Sequence, residues 1–192
     1  MIDRRAFTLR LGAAGLRAAG LGAAGLLPLV GEGALAATKQ RPRGLRLYNP
    51  NTRERFDGLY FDGGYLKSAQ EKLDWFLRDH HENAQTHVDA KLFDLLWRLA
   101  ERYRRARHGH VVINIHSAYR TKKTNDRLRA EGAARNSQHL LGKAADVTIQ
   151  GYGIYFLANH AARIQAGGLG LYWAAKFVHL DTGPRRYWYK RY

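Results

Sequence analysis

Ser137-Gln138-His139-Leu140-Leu141-Gly142-Lys143-Ala144-Ala145-Asp146, answered far downstream by Phe177-Val178-His179-Leu180-Asp181, is the stretch on which the reading of this chain turns. It brings two imidazoles and a carboxylate from separate segments, each on or beside an apolar run of strand length. Donors of these types hold a zinc ion and leave a coordination position open for water. A zinc ion so held lowers the pKa of its water and polarises a carbonyl, which is the chemistry of amide hydrolysis.

Outward from this pair of segments, Val111-Val112-Ile113-Asn114-Ile115 is nearly continuous in apolar character and reads as a central strand. Leu45-Arg46-Leu47-Tyr48 alternates like a strand, Asn49-Pro50-Asn51-Thr52 is a turn, and Arg53 to Phe61 returns as a second strand. Asp62-Gly63-Gly64 breaks it. Leu66, Ala69, Leu73, Phe76 and Leu77 then recur at helical spacing. A second helix runs from Asp89 to Arg107, with Asp89 as its N-cap and arginines at its C-terminal end. Leu140 to Ile149 contains a further strand, a helix spans Tyr152 to Gln165, and Phe177–Asp181 and Arg186–Tyr189 close the sheet. Helices precede and interrupt the strands without regular alternation, so the class is α+β rather than doubly wound.

Length and composition fit one domain with a short appendage: 192 residues, 45% hydrophobic, and no cysteine. The lack of cysteine excludes disulfides, thiolate zinc fingers, a cysteine nucleophile and a lipoprotein anchor. Residues 1–36 read as an export signal: Asp3-Arg4-Arg5-Ala6-Phe7-Thr8 carries an arginine pair, a Leu/Ala/Gly stretch follows, and Ala34-Leu35-Ala36 has small-x-small cleavage character. A twin-arginine signal fits best, which implies a periplasmic or extracytoplasmic protein. A membrane anchor is the other reading, because the stretch approaches the roughly 20 residues a span needs. Arg17 and the many glycines interrupt it, and no stable span is expected once the signal is removed. Residues 37–43 form a basic linker and residues 44–192 the domain. Removal of the signal takes the formal charge from +16 to +14, a surplus that draws polyanions. For an exported chain these are acidic cell-wall peptides or anionic lipid surfaces rather than nucleic acid.

Ser117-Ala118-Tyr119-Arg120-Thr121, Thr124-Asn125, Leu128-Arg129 and the Ser137-x-His139-x-x-Gly142-x-Ala144-x-Asp146 motif together resemble the YcbK-like branch of the zinc D-Ala-D-Ala peptidases. Phe177 to Trp188 and the earlier Leu77-Arg78-Asp79-His80 match it as well, so the resemblance covers nearly all of residues 44–190. It implies a hedgehog-like fold with a small antiparallel sheet and flanking helices. It also implies Zn2+ held by His139, Asp146 and His179, and peptidoglycan stem peptides as substrate. Arg120 is implied near the metal, where its fork binds a substrate carboxylate or assists an oxyanion; the other reading is a structural ion pair. Ser137 is expected to orient Asp146 or the loop.

The general base is where the sequence departs from that pattern. Relatives carry an acid three residues before the last histidine, or a histidine two before it; here Lys176 and Phe177 stand there. Asp181 is the replacement candidate, since residues two apart in a strand share a face with each other. Base and orienting partner are both open to it.

Other features read more plainly. His80-His81 and His108-Gly109-His110 are expected in a solvated loop and at a helix end, and His116 is a packed strand residue. Asp181-Thr182-Gly183 copies an aspartic-protease triplet by coincidence. Tyr152, Tyr155, Tyr172, Trp173 and Trp188 either line a groove or fill the core. Three functions follow: a murein endopeptidase, with a D-Ala-D-Ala-type carboxypeptidase as its near variant; a zinc-containing cell-wall peptide-binding module without hydrolysis; and, less well supported, a basic nucleic-acid binder.

Overall fold

The computed structural model describes residues 40–107, 110–164 and 167–191. The signal, residues 37–39 of the linker, and His108-Gly109 lie outside these residues. Strands β1 (Arg43–Tyr48) and β2 (Arg55–Phe61) form a hairpin over the Asn49–Thr52 turn, and helices α1 (Lys67–Phe76) and α2 (Ala90–Arg107) follow. Then come β3 (Ile113–Ser117), α3 (Lys122–Arg127), a 3-10 turn at Gln138–Leu141, β4 (Ala144–Ile149), α4 (Ile154–Arg163), β5 (Gly168–Tyr172), β6 (Phe177–Asp181) and β7 (Arg186–Lys190). Asp89 caps α2 as its sequence suggests, its carboxylate accepting from the Lys91 N–H at 3.0 Å. β1 begins at Arg43, inside the expected linker, because the Arg43 guanidinium stacks on Phe61 at 3.7 Å and pairs with Asp94 of α2.

All the strands join one sheet in the order β2-β1-β3-β4-β6-β5-β7. The expected small antiparallel sheet is therefore corrected to a mixed sheet of seven strands. Two pairings are parallel, β1 with β3 and β5 with β7. Each has a topological cause. The chain leaves the hairpin through α1 and α2 before β3, the long crossover that parallel neighbours require. β7 cannot lie beside β6, whose two edges are taken by β4 and β5, so it passes to the free edge of β5. Among the described residues no helix is long and apolar enough to cross a membrane.

The strands alternate cleanly, and that alternation positions the site. On one face Leu45, Leu47, Ile113, Ile115, Val147, Val178 and Leu180 are buried, with α2 packed on β1 and α4 on β5 and β6. The apolar stripe of α2, with Leu92, Leu96, Leu99 and Tyr103, closes that side. The opposite face carries Asp146, His179, Tyr172 and Trp188 beneath a cleft of about 870 Å3.

Two elements escaped the sequence reading. β5, Gly168-Leu169-Gly170-Leu171-Tyr172, looks too glycine-rich for a strand, yet a Cβ at Gly168 would meet the Asp181 carboxylate at 2.2 Å and one at Gly170 the Trp188 indole at 2.3 Å. The glycines make room for neighbouring side chains. α3 is one short turn capped by Thr121, whose hydroxyl accepts from the Thr124 N–H at 3.2 Å.

Leu99, with 0% exposure, tests this packing against Leu59, with 50%. Leu99→Ala is expected to cost about 2–5 kcal/mol in urea denaturation. Leu59→Ala should stay within about 0.5 kcal/mol, and equal shifts would contradict the assigned core.

Candidate metal centre

The cleft floor is a row of residues in register across the sheet. Ser117 of β3 pairs with Asp146 of β4, Asp146 with His179 of β6, His179 with Gly170 of β5, and Gly170 with Trp188 of β7. Strand pairing alone thus sets the Asp146 carboxylate beside the His179 ring. His139 arrives from the 3-10 turn. That turn is capped by the Ser137 hydroxyl, which accepts from the His139 N–H at 3.3 Å, and closed by Gly142 at φ 62. A Cβ at Gly142 would meet Thr86 at 2.9 Å, so glycine is required there by both conformation and space.

The three side chains converge. His139 Nε2 lies 3.1 Å from His179 Nδ1, and Asp146 Oδ1 lies 3.3 Å from the former and 3.0 Å from the latter. All three residues are buried, and their ligand atoms fall within 4.8 Å of one another. The opposite ring nitrogens are occupied by acceptors: His139 Nδ1 meets the Ala118 carbonyl at 2.5 Å, and His179 Nε2 meets the Asp181 carboxylate at 2.9 Å. Each ring thus has an acceptor behind its outer nitrogen, the arrangement in which the inner nitrogen offers its lone pair to a bound cation. Two inward lone pairs and one carboxylate oxygen make a donor set that fits a cation.

The surroundings tune these groups. Burial lowers the His139 pKa and keeps that ring neutral. Burial also works against ionisation of Asp146, but His139, His179 and Arg120 outweigh it and hold the carboxyl well below its usual range. For His179 burial is outweighed by hydrogen bonds to Asp146 and Asp181, which raise its pKa.

Arg120 belongs to this shell. Its Nη2 pairs with Asp146 Oδ2, leaving Oδ1 for the cluster, and its Nε donates to the Ser117 hydroxyl at 2.7 Å. Its backbone N–H also holds the His139 carbonyl at 3.1 Å. The ion-pair reading of Arg120 is thus realised, while its Nη1 has no hydrogen bond among the described residues.

Asp181 shares the face of His179, as strand spacing predicts, but it stands behind the ring rather than before the cleft. Its oxygens are taken by His179, by the Gly168 and Gly183 N–H groups at 2.8 Å each, and by Arg186 at 2.6 Å. With 0% exposure and each oxygen hydrogen-bonded, Asp181 has the geometry of the second of its two readings, a partner that orients the His179 ring. Lys176 sits in a turn at φ 56 and Phe177 stacks on Tyr172 at 4.5 Å, so neither supplies a proton acceptor.

Ser137 takes the second of its two expected roles, capping the turn rather than touching Asp146. One departure is informative. Asp79, read only as part of a motif, is buried and accepts four hydrogen bonds, from the His81 and Glu82 N–H groups and from the Thr121 N–H and hydroxyl. It anchors the loop that carries Arg120, and an isolated aspartate before two histidines gives no sequence signal for that. His80 and His81 lie in the loop after α1 as expected, His80 half-buried and His81 exposed, their tilted rings 4.2 Å apart on the cleft wall. His116 packs in β3 as expected, its Nε2 2.8 Å from the Thr148 hydroxyl. Tyr172 and Trp188 line the cleft, whereas Tyr155 and Trp173 form an exposed pair at 4.7 Å.

A family model described as peptidoglycan L,D-endopeptidase MepK matches residues 37–188. The chain belongs to the MepK family. Peptidoglycan L,D-endopeptidase MepK of Escherichia coli (strain K12) is 38% identical over 151 residues, covering 77% of this chain and 81% of the relative. A probable peptidoglycan L,D-endopeptidase MepK of Haemophilus influenzae is 32% identical, covering 77% and 80%. No solved structure matches the chain. The MepK match takes in the whole row from Ser117 to Trp188 together with the Asp79 anchor.

The charges of the shell predict an acid limb in stability. Burial raises the Asp181 pKa, but His179, the two N–H groups and Arg186 outweigh it and bring it to about 2. An unfolded aspartate titrates near about 3.9, so this carboxylate stabilises the fold above that pH, and the contribution is lost as pH falls through the folded value. Urea midpoints of the metal-free protein should fall from pH 5 to pH 2.5. Asp181→Asn should lower the midpoint at pH 6 and flatten that slope; an unchanged slope would contradict the Asp181 network.

Proposed function

We propose that the chain is an exported, zinc-dependent peptidoglycan endopeptidase of the hedgehog-like fold that cleaves L,D peptide cross-links between stem peptides. The observation that carries the reading is the buried triangle of His139, Asp146 and His179, with a hydrogen-bond acceptor behind the outer nitrogen of each ring. MepK membership supports the substrate and the bond. The arginine pair at Arg4-Arg5 and the apolar stretch after it support export by the twin-arginine route.

A zinc ion on these three atoms supplies Lewis-acid chemistry, lowering the pKa of water and polarising the scissile carbonyl. The protein's own residues do the rest. Asp181, backed by Arg186, fixes the His179 ring and raises its basicity as a ligand. Arg120 takes one oxygen of Asp146, so the carboxylate offers the other alone. The free edge of Arg120, with Arg186 and Lys190, makes the walls cationic and suited to an acidic stem peptide.

The peptide-binding module without hydrolysis stays as a second reading for one reason: Asp181 is fully engaged, and Lys176 and Phe177 stand where relatives place a base.

Incubation of the zinc-loaded protein with defined cross-linked muropeptides, read by mass, separates these. The expected result is chelator-sensitive conversion of dimers to monomers with product masses of an L,D bond. Release of terminal D-alanine alone would make the protein a carboxypeptidase, and stoichiometric zinc without turnover would make it a binding module. His139→Ala should lose both stoichiometric zinc and turnover. Asp181→Ala should retain the site but lose about 10–100-fold in zinc affinity or rate.

A further inference from the structure

Beyond the metal ligands and Arg120, one side chain on the cleft floor is held in a way that packing does not explain. Tyr172 ends β5 two residues after Gly170, so its ring rises on the cleft face beside the His179 row. Its oxygen accepts a hydrogen bond from the Trp188 indole N–H at 3.1 Å. Trp188 reaches this position because it lies flat over Gly170, where any Cβ would meet the indole nitrogen at 2.5 Å. The same indole sits 5.1 Å from the His179 ring, and all three side chains line the one cleft.

The polarity of that hydrogen bond matters. An indole N–H can only donate, so the Tyr172 oxygen must be its acceptor. The phenol proton is thereby left to point elsewhere, and no acceptor for it is found among the described residues. Phe177, stacked on the ring at 4.5 Å, fixes the plane of the phenol. Tyr172 is thus a half-buried hydroxyl with its lone pair spoken for and its donor free in the cleft. It stands beyond His179, while Arg120 stands beyond Asp146, on opposite sides of the ligand triangle.

We propose that Tyr172 is a catalytic residue whose hydroxyl, oriented by Trp188 over Gly170, donates a hydrogen bond to the scissile carbonyl oxygen as that oxygen gains negative charge. The role rests on the endopeptidase reading above. It leaves Arg120 for the substrate's carboxylate, so the two cationic and neutral donors divide the peptide between them. Trp188 is a positioning residue: it touches no reacting atom and acts through the direction in which the phenol proton points. A donor placed before reaction, and requiring no reorientation, favours the transition state over the bound substrate.

Steady-state turnover of a defined L,D cross-linked muropeptide by the zinc-loaded protein tests this, with zinc content measured on every variant. Tyr172→Phe keeps the ring, its stack on Phe177 and the neighbouring cleft wall. It is expected to lower kcat about 100-fold, the scale of losing one oxyanion donor, with KM changed by less than about threefold and zinc stoichiometry unchanged. Trp188→Phe is expected to lower kcat by a smaller factor, and the double variant should be no worse than Tyr172→Phe, because the two act as one unit. Unchanged kcat in Tyr172→Phe, a loss confined to KM, a loss that tracks loss of zinc, or strict additivity of the two substitutions would each overturn the role. A wild-type protein that cleaves no muropeptide would instead overturn the endopeptidase reading, and the Tyr172 role with it.

Discussion

Two imidazole nitrogens and a carboxylate oxygen, all buried and all within 3.3 Å of one another, need positive charge among them, whether a proton or a cation. The fold builds this arrangement and holds it from outside. The Ala118 carbonyl and the Asp181 carboxylate stand against the outer nitrogens of the two rings and hold both rings in place. Arg120 draws off one oxygen of Asp146 and neutralises part of its charge. A cation bound there would satisfy all three donor atoms at once. Much of the neighbouring architecture follows from keeping the three groups in place until it arrives.

That need explains features that look unrelated in isolation. Asp79 is far from the metal atoms, but through Thr121 it fixes the loop whose next residue back is Arg120 and whose Ala118 carbonyl orients His139. Gly168 and Gly170 leave β5 without side chains where Asp181, Arg186 and Trp188 must approach the row from the far edge. β7, added in parallel to β5, brings both Arg186 and Trp188 to the cleft face at alternate positions. The mixed sheet is thus the means by which one edge supplies the outer support of His179, while β3 and its loop supply that of Asp146.

Local pattern carried much of this. The 3.6-residue stripe placed α1 and α2 to within a residue, because their burial is one-sided and long enough to be read from the chain alone. β6 was legible at both ends for the same reason, since Phe177 and Asp181 are bounded by turn residues. β5 was not, because its glycines serve neighbours that arrive from β6 and β7, and no window of ten residues contains that fact. The antiparallel expectation failed likewise: strand direction between β5 and β7 depends on which edge is already occupied.

By itself the sequence determined the class of fold, the residue types that meet at the centre, and the family to which the chain belongs. Spacing and residue chemistry are local properties, and the Ser137 to Asp146 motif with His179 carries them intact. Only the tertiary structure decided the arrangement within the site. Strand alternation puts Asp181 and His179 on one face, but whether that carboxylate looks into the cleft or sits behind the ring is settled by Gly168, Gly183 and Arg186, which fill its remaining lone pairs. Likewise, nothing in the chain indicates that the Tyr172 oxygen accepts and its proton stays free; the indole that fixes this lies sixteen residues on and one strand across. Hydrogen-bond direction is a property of who stands next to whom, and that is decided when the sheet closes.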